Sequence, residues 1–162
     1  MTRPILLILL ALAALVPAPA RAQATAEDSV RAVVVGLFDA MRARDSAAIR
    51  AAFDPSARLQ TALERPDGTT LLRLDAVDTF VRAVGAPSDT VWDERLDAWQ
   101  VRVDGPLAVV TTDYSFYVGP RFSHCGIDAF HIFRGANGWK IFQLTDTRRR
   151  TGCPSQSGSS SP

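Results

Sequence analysis

The sequence predicts an α+β domain in which three helices pack on one face of a curved antiparallel sheet. Apolar residues recur at helical spacing only in the front half of the chain, whereas the back half alternates with a period of two. The turns between the back-half runs are Asp104-Gly105-Pro106, Gly119-Pro120 and Gly135-Ala136-Asn137-Gly138, too short for anything but antiparallel neighbours.

Glu27-Asp28-Ser29 opens the first helix, and Val30, Val33, Val34, Leu37, Phe38 and Met41 follow on a single stripe. Arg42 and Arg44 complement the negative end of its dipole. Asp45-Ser46 caps a short second helix through Ile49 and Phe53, which Asp54-Pro55 stops. From Ala57 to Leu63 the pattern alternates, and Pro66-Asp67-Gly68 turns it back through Leu71 to Leu74, a first hairpin. Asp75 with Asp78 is expected to cap a third helix, whose Val77, Phe80, Val81 and Val84 share a face and which ends at Gly85. Strands follow over residues 95–103 and 107–118, and a last hairpin spans Phe122 to Asp146.

The ends are read differently. Met1-Thr2-Arg3 is a positive start, Ile5 to Val16 is an unbroken apolar run, and Ala20-Arg21-Ala22 supplies small residues before a cut at Gln23, the pattern of a cleaved export signal over residues 1–22. The run falls short of the roughly 20 apolar residues that a stable membrane anchor needs. One domain over 23–154 and a Ser, Gly and Pro-rich disordered tail over 155–162 complete the expected layout.

Without Arg3 and Arg21 the chain carries 16 basic against 17 acidic residues, so it shows no nucleic-acid footprint. Arg148-Arg149-Arg150, the one basic run, reads as a solvated strand edge. Cys125 opens the last hairpin and Cys153 lies just past its end, so antiparallel pairing brings them together, and an oxidising compartment favours a disulfide. The loop it closes has a chain-entropy value of about 3.5 kcal/mol.

This order of elements resembles the cone-shaped, cystatin-like α+β fold of the nuclear transport factor 2-like superfamily, over about Ser29 to Asp146. The likeness is most specific at Leu37-Phe38-Asp39-Ala40-Met41-Arg42-Ala43-Arg44-Asp45, Gly126-Ile127-Asp128-Ala129-Phe130 and Gly138-Trp139-Lys140-Ile141. Within the superfamily the chain is similar to exported SnoaL-like or lumazine-binding-type proteins. The resemblance implies a pocket between the concave face of the sheet and the helices. The superfamily includes polyketide cyclases, steroid isomerases, dehydratases and binding modules, so the fold alone does not choose a reaction. Its enzymes use an acidic or histidine base facing the pocket, with Tyr, Asp or His donors. Asp128 and His131 stand where such groups are expected.

Period two puts His124, Asp128, Phe130 and Ile132 on one face of the strand and Cys125, Ile127, Ala129, His131 and Phe133 on the other. If the Asp128 face is the inner one, desolvation raises its pKa towards that of a general base, with Tyr114 or Tyr117 donating to a developing oxyanion. The alternative is a structural Asp128 that accepts bonds from an arginine or Thr145 and fixes the register. His131 is either a pocket residue or a satisfied histidine among aromatics. His124, Asp128 and His131 would align for a metal on a helix but not on a strand, so no metal site is expected, and no organic cofactor. Trp92, Tyr117 and Phe130 are the candidate pocket aromatics, with the core or a dimer interface as the alternative.

The first functional reading is therefore an exported protein that binds a small apolar or aromatic molecule without catalysis. The second is a cofactor-independent isomerase, cyclase or dehydratase using Asp128, with His131 and Tyr114 assisting. The third, suggested by the resemblance, is an interaction module that dimerises through the outer face of its sheet. None of the three involves nucleic acid, or a membrane once the leader is removed.

Overall fold

The computed structural model describes residues 19–154, with side chains from residue 26. Residues 1–18 of the expected leader and the expected tail, 155–162, lie outside the described residues. Three helices, α1 (Pro19–Ala43), α2 (Ser46–Ala52) and α3 (Val77–Gly85), accompany six strands: β1 (Phe53–Glu64), β2 (Thr70–Asp75), β3 (Trp92–Asp104), β4 (Leu107–Val118), β5 (Arg121–Gly135) and β6 (Gly138–Thr147). Among the described residues no helix is long and apolar enough to cross a membrane.

The six strands form one sheet in the order β2-β1-β6-β5-β4-β3. Every neighbouring pair is antiparallel except β1 and β6, which run parallel, with Leu59 beside Leu144 and Thr61 beside Asp146. The sheet is therefore mixed and not purely antiparallel as the sequence predicts. Short turns dictate the direction of sequential neighbours only; β1 and β6 meet across the two halves of the chain, where no turn constrains them.

Helix α1 begins at Pro19, earlier than the Glu27 start read from the sequence, and its predicted stripe is the core: Val30, Val34 and Leu37 are wholly buried, with Phe38 and Met41 nearly so. Phe38 meets Phe130 edge to face, the ring centroids 6.1 Å apart, which fastens α1 to β5. Arg44, at φ 58°, turns the chain out of α1, and Asp45 caps α2 by accepting from the Ala48 amide at 2.9 Å. The expected cap of α3 is absent: Ala76 occupies the cap position, Asp78 pairs with Arg50 at 2.5 Å, and Asp75 pairs with Arg73 at 2.8 Å. Both carboxylates face arginines close enough to outcompete the helix amides.

Ladder irregularities bend the sheet over the helices. In β1 the register shifts between Phe53 and Arg58, where Pro55 has no amide to donate. In β3 it shifts between Asp97 and Gln100, where Ala98 adopts φ 48° and the Thr112 hydroxyl donates to the Asp97 carbonyl at 2.6 Å. Further shifts lie between Phe116 and Tyr117 and between His131 and Ile132. The last turn is as the sequence predicts: Gly135 pairs with Gly138, and Gly138 takes φ 86°.

Candidate functional site

Between the helices and the concave face of the sheet lies a cavity of about 1240 Å³ that opens widely to solvent, larger than the roughly 300–1,000 Å³ of ordinary ligand sites. Leu37, Phe38 and Met41 of α1 and Phe80 and Ala83 of α3 form one apolar wall, and Leu59, Leu144, Trp92 and Phe116 line the sheet side. The polar part of the lining includes Glu94, His124, Asp128, Asp146 and the arginines after β6, with further charged residues from the β1–β2 hairpin.

Period-two alternation along β5 puts Asp128 inward, in step with the wholly buried Phe130 and Ile132, and leaves its side chain 2 % exposed. Among the described groups no donor satisfies the buried Asp128 Oδ2. The carboxyl of Glu94, on β3, lies within hydrogen-bond reach of the Asp128 carboxyl across β4. Burial, then the charge of Glu94 and the bond to it, pushes the Asp128 carboxyl well above the usual carboxylate range. Burial also raises Glu94, to about 7, with the bond from Asp128 opposing the rise. Two carboxyls so close share a proton near neutrality. The deeply buried Asp128 holds it, and the half-buried Glu94 ionises first.

Glu94 is fixed from behind. Arg42 of α1 donates from Nη1 to the Glu94 backbone carbonyl at 3.1 Å and to Asp93 Oδ1 at 3.3 Å, so the arginine read as a helix-dipole partner also anchors β3. Beside the pair, the Asp146 carboxylate accepts from Arg148 Nε at 2.6 Å. Tyr114 is buried, and its hydroxyl donates to the Thr147 carbonyl at 2.8 Å, with Asp146 Oδ2 at 3.3 Å. Burial and then the Asp146 charge push its pKa far up, so that proton stays on the tyrosine. His124 sits between Tyr114 and Phe116, ring centroids 5.7 and 4.9 Å away, with Nδ1 3.0 Å from the Ser123 hydroxyl. Burial, reinforced by Arg148, lowers its pKa to about 4 and leaves it neutral at neutral pH.

Gly126 makes this crowding possible. A Cβ there would stand 1.8 Å from the Thr147 carbonyl oxygen and 2.8 Å from the Tyr114 ring. Cys125 and Cys153 are disulfide-bonded, Cα atoms 5.9 Å apart, and Cys125 and Arg149 exchange both backbone hydrogen bonds at 2.9 Å. The segment after β6 is thereby tied back against β5, and Arg148, Arg149 and Arg150 line the cavity while keeping their exposure. A solvated edge, the reading from sequence, describes only half of their position.

Of the candidates read from sequence, Asp128 and Trp92 line the cavity. His131 is on the opposite face, beside Phe142 with ring centroids 5.8 Å apart, so it joins no site with Asp128. Tyr117 is also outside the lining, its ring under the Arg95 guanidinium at 4.1 Å and against Phe122. Phe130 is core rather than lining. Tyr114 reaches the site only through Asp146 and Thr147. Glu94 and Asp146 escaped notice, and Arg148 reads from sequence only as part of a solvated edge, because Asp93-Glu94-Arg95 and Asp146-Thr147-Arg148 look like solvated charge. The available signal was phase: Glu94 alternates in step with Trp92 and Leu96. Among the described residues no three His, Cys, Asp or Glu side chains gather to hold a metal ion.

No protein-family model and no curated protein matches the sequence. Solved structures do match in shape. A function-unknown protein from Mycobacterium tuberculosis superposes with a TM-score of 0.65 at 12% identity, over 88% of this chain and 81% of that one. A protein with a cystatin-like fold from Novosphingobium aromaticivorans gives 0.62 at 10% identity, over 88% and 94%. A Streptomyces avermitilis protein of the same family, with the working designation of dehydratase, gives 0.58 at 15% identity, over 80% and 99%. With its cone of three helices on a six-stranded sheet, the chain has the cystatin-like fold of nuclear transport factor 2-like proteins.

Proposed function

We propose that this protein binds a small, largely apolar carbonyl compound in its cone and catalyses proton transfer on it, as an isomerase or dehydratase whose acid and base are both carboxyls. The observation that carries this is the buried Asp128 carboxyl at the cavity wall, with no hydroxyl, amide or cationic donor on Oδ2 and the Glu94 carboxyl beside it. A structural carboxylate would be satisfied by such donors, whereas a buried carboxyl whose neighbour is another carboxyl, with a displaced pKa in a cleft, is the mark of a working group.

Ionised Glu94 takes the proton from the carbon next to the carbonyl, and the C–H electron pair moves into the new double bond. Asp128 gives its proton to the departing β-hydroxyl, which leaves as water, or to the carbonyl oxygen, which becomes an enol. The pair began with one proton and ends with one, now on Glu94. In the dehydration its transfer back to Asp128 restores the starting state; in the isomerisation Glu94 instead delivers it to the γ-carbon while the enol returns its hydroxyl proton to Asp128, which completes the shift of the double bond and restores the pair.

The roles differ from the sequence reading, which made Asp128 the base. Deeper burial makes it the acid and leaves Glu94 to ionise near neutrality. The designation of one similar structure as a dehydratase is in keeping with this chemistry. The leader-like residues 1–22 and the Cys125–Cys153 bridge support export to an oxidising compartment.

The test is incubation with β-hydroxy ketones and β,γ-unsaturated ketones in deuterated water, followed by NMR. Wild-type protein should speed deuterium entry and enone formation over buffer. Glu94→Gln and Asp128→Asn should each lose about a hundredfold, a typical acid–base contribution. A wild-type rate equal to buffer across the panel, or variants as fast as wild type, refutes the reading.

A further inference from the structure

Arginines reach the cavity from two separate parts of the chain, Arg65 and Arg73 from the β1–β2 hairpin and Arg148, Arg149 and Arg150 from the segment after β6. Arg73 is engaged by Asp75, and Arg148 by Asp146. Beyond the Glu94 and Asp128 pair the lining holds Glu64, Asp75 and Asp146 against these five arginines, so away from the pair cations outnumber anions. This basic side is not a loose end. Arg149 is held to Cys125 by two backbone bonds of 2.9 Å, and the disulfide to Cys153 closes the segment just beyond Arg150. The backbone that carries these arginines is thus held in place, so the segment loses less freedom on binding. The opposite requirement, an apolar body, is met by Leu59, Phe80, Trp92 and Leu144 on the remaining walls.

The geometry points to an amphiphilic anion as the ligand: a compound with a planar or aliphatic body seated among Trp92, Phe80 and Leu144, and a carboxylate or comparable oxyanion head held by the arginines after β6. Guanidinium groups grip such heads with paired hydrogen bonds, and low-dielectric walls strengthen the attraction. Anchoring the head there orients the body along the cavity, with its reactive carbon presented to the carboxyl pair. This deepens the function proposed above and rests on the cavity being the binding site, but not on its chemistry.

Two dyes with the same rings separate the terms: anilinonaphthalene sulfonate carries an anionic head, and phenylnaphthylamine does not. The oxidised protein should bind the sulfonate about tenfold more tightly than the neutral dye, the yield of one charge-assisted contact. The double variant Arg149→Gln, Arg150→Gln should lose that about tenfold advantage and leave the neutral dye unchanged, while Arg149→Lys, Arg150→Lys should keep most of it. Thermal melting of each variant shows whether the fold is retained. Equal affinity for the two dyes, or an equal loss of both in the Gln variant, overturns the inference. Binding of neither dye removes the cavity as a binding site, and the function with it. Wild-type protein that prefers the sulfonate but turns over none of the ketones supports this inference and refutes the chemistry alone.

Discussion

Glu94 on β3 and Asp128 on β5 meet across the intervening strand β4 and hold a proton between two carboxyls that the rest of the cavity leaves without another donor at Asp128 Oδ2. Opposed carboxylates repel when both are ionised, so the arrangement is stable only while the proton remains. The pair thus links the chemistry of the site to the stability of the fold.

That link fixes a pH dependence. Glu94 has a folded-state pKa of about 7 against a reference of 4.5, so its proton is held more tightly in the native state. The resulting stability is present below about pH 4.5 and is lost as the pH rises through 7, by roughly 3 kcal/mol. His124 acts with the opposite sign: its pKa, lowered to about 4, favours folding above its ordinary 6.5 and costs stability as the pH falls below that. Urea unfolding at pH 5 and pH 8 should show Glu94→Gln near neutral at the lower pH and clearly stabilising at the higher. An equal effect at both would mean that burial does not hold the Glu94 proton in the folded state.

Gly126→Ala should destabilise by about 1–3 kcal/mol, the cost of forcing an extra methyl into a packed site. The new Cβ meets the backbone oxygen of Thr147, which cannot rotate away, and the Tyr114 ring. Loss of the Tyr114 bond to Thr147 should appear as a changed tyrosine signal in the near-ultraviolet circular dichroism.

Removing the bridge by Cys125→Ala with Cys153→Ala should lower stability by up to about 3.5 kcal/mol, the chain-entropy value of a loop with a sequence separation of 28. Urea midpoints of the oxidised protein and the variant measure it. Identical midpoints would show that the backbone bonds between Cys125 and Arg149 hold the segment unaided.

Ala98, at φ 48° in the β3 bulge, sits where a side chain is strained. Ala98→Gly should be neutral or slightly stabilising, whereas Ala98→Val should cost about 1–3 kcal/mol. A tolerated valine would mean that β3 can relax out of its bend.

The sequence exposed whatever obeys a local rule. The α1 stripe, the Ala136-Asn137 turn, the face that Asp128 shares with Phe130 and Ile132, and the Cys125–Cys153 pairing all follow from periodicity or from neighbours along one hairpin, though periodicity left open which face looks inward. What escaped depends on distant segments meeting. The parallel pairing of β1 with β6 leaves no turn to read, and Asp78 abandoned its cap because Arg50, from another helix, stands beside it in space, whereas Asp75 was drawn off by its near neighbour Arg73. Glu94 fell between these cases: its phase was visible, but its partner lies on another strand. His131 shows the reverse error, since its phase already placed it away from Asp128 and only its residue type recommended it.

The parallel seam between β1 and β6 also bears on the order of assembly. The first strand of the chain has its inner edge sealed by the last, so the front hairpin and its helices wait with that edge unpaired until the final residues of the sheet arrive. Closing so long a loop is slow, and an open strand edge invites a neighbouring molecule in the meantime. Truncation within β6 should therefore yield aggregates rather than a smaller soluble cone.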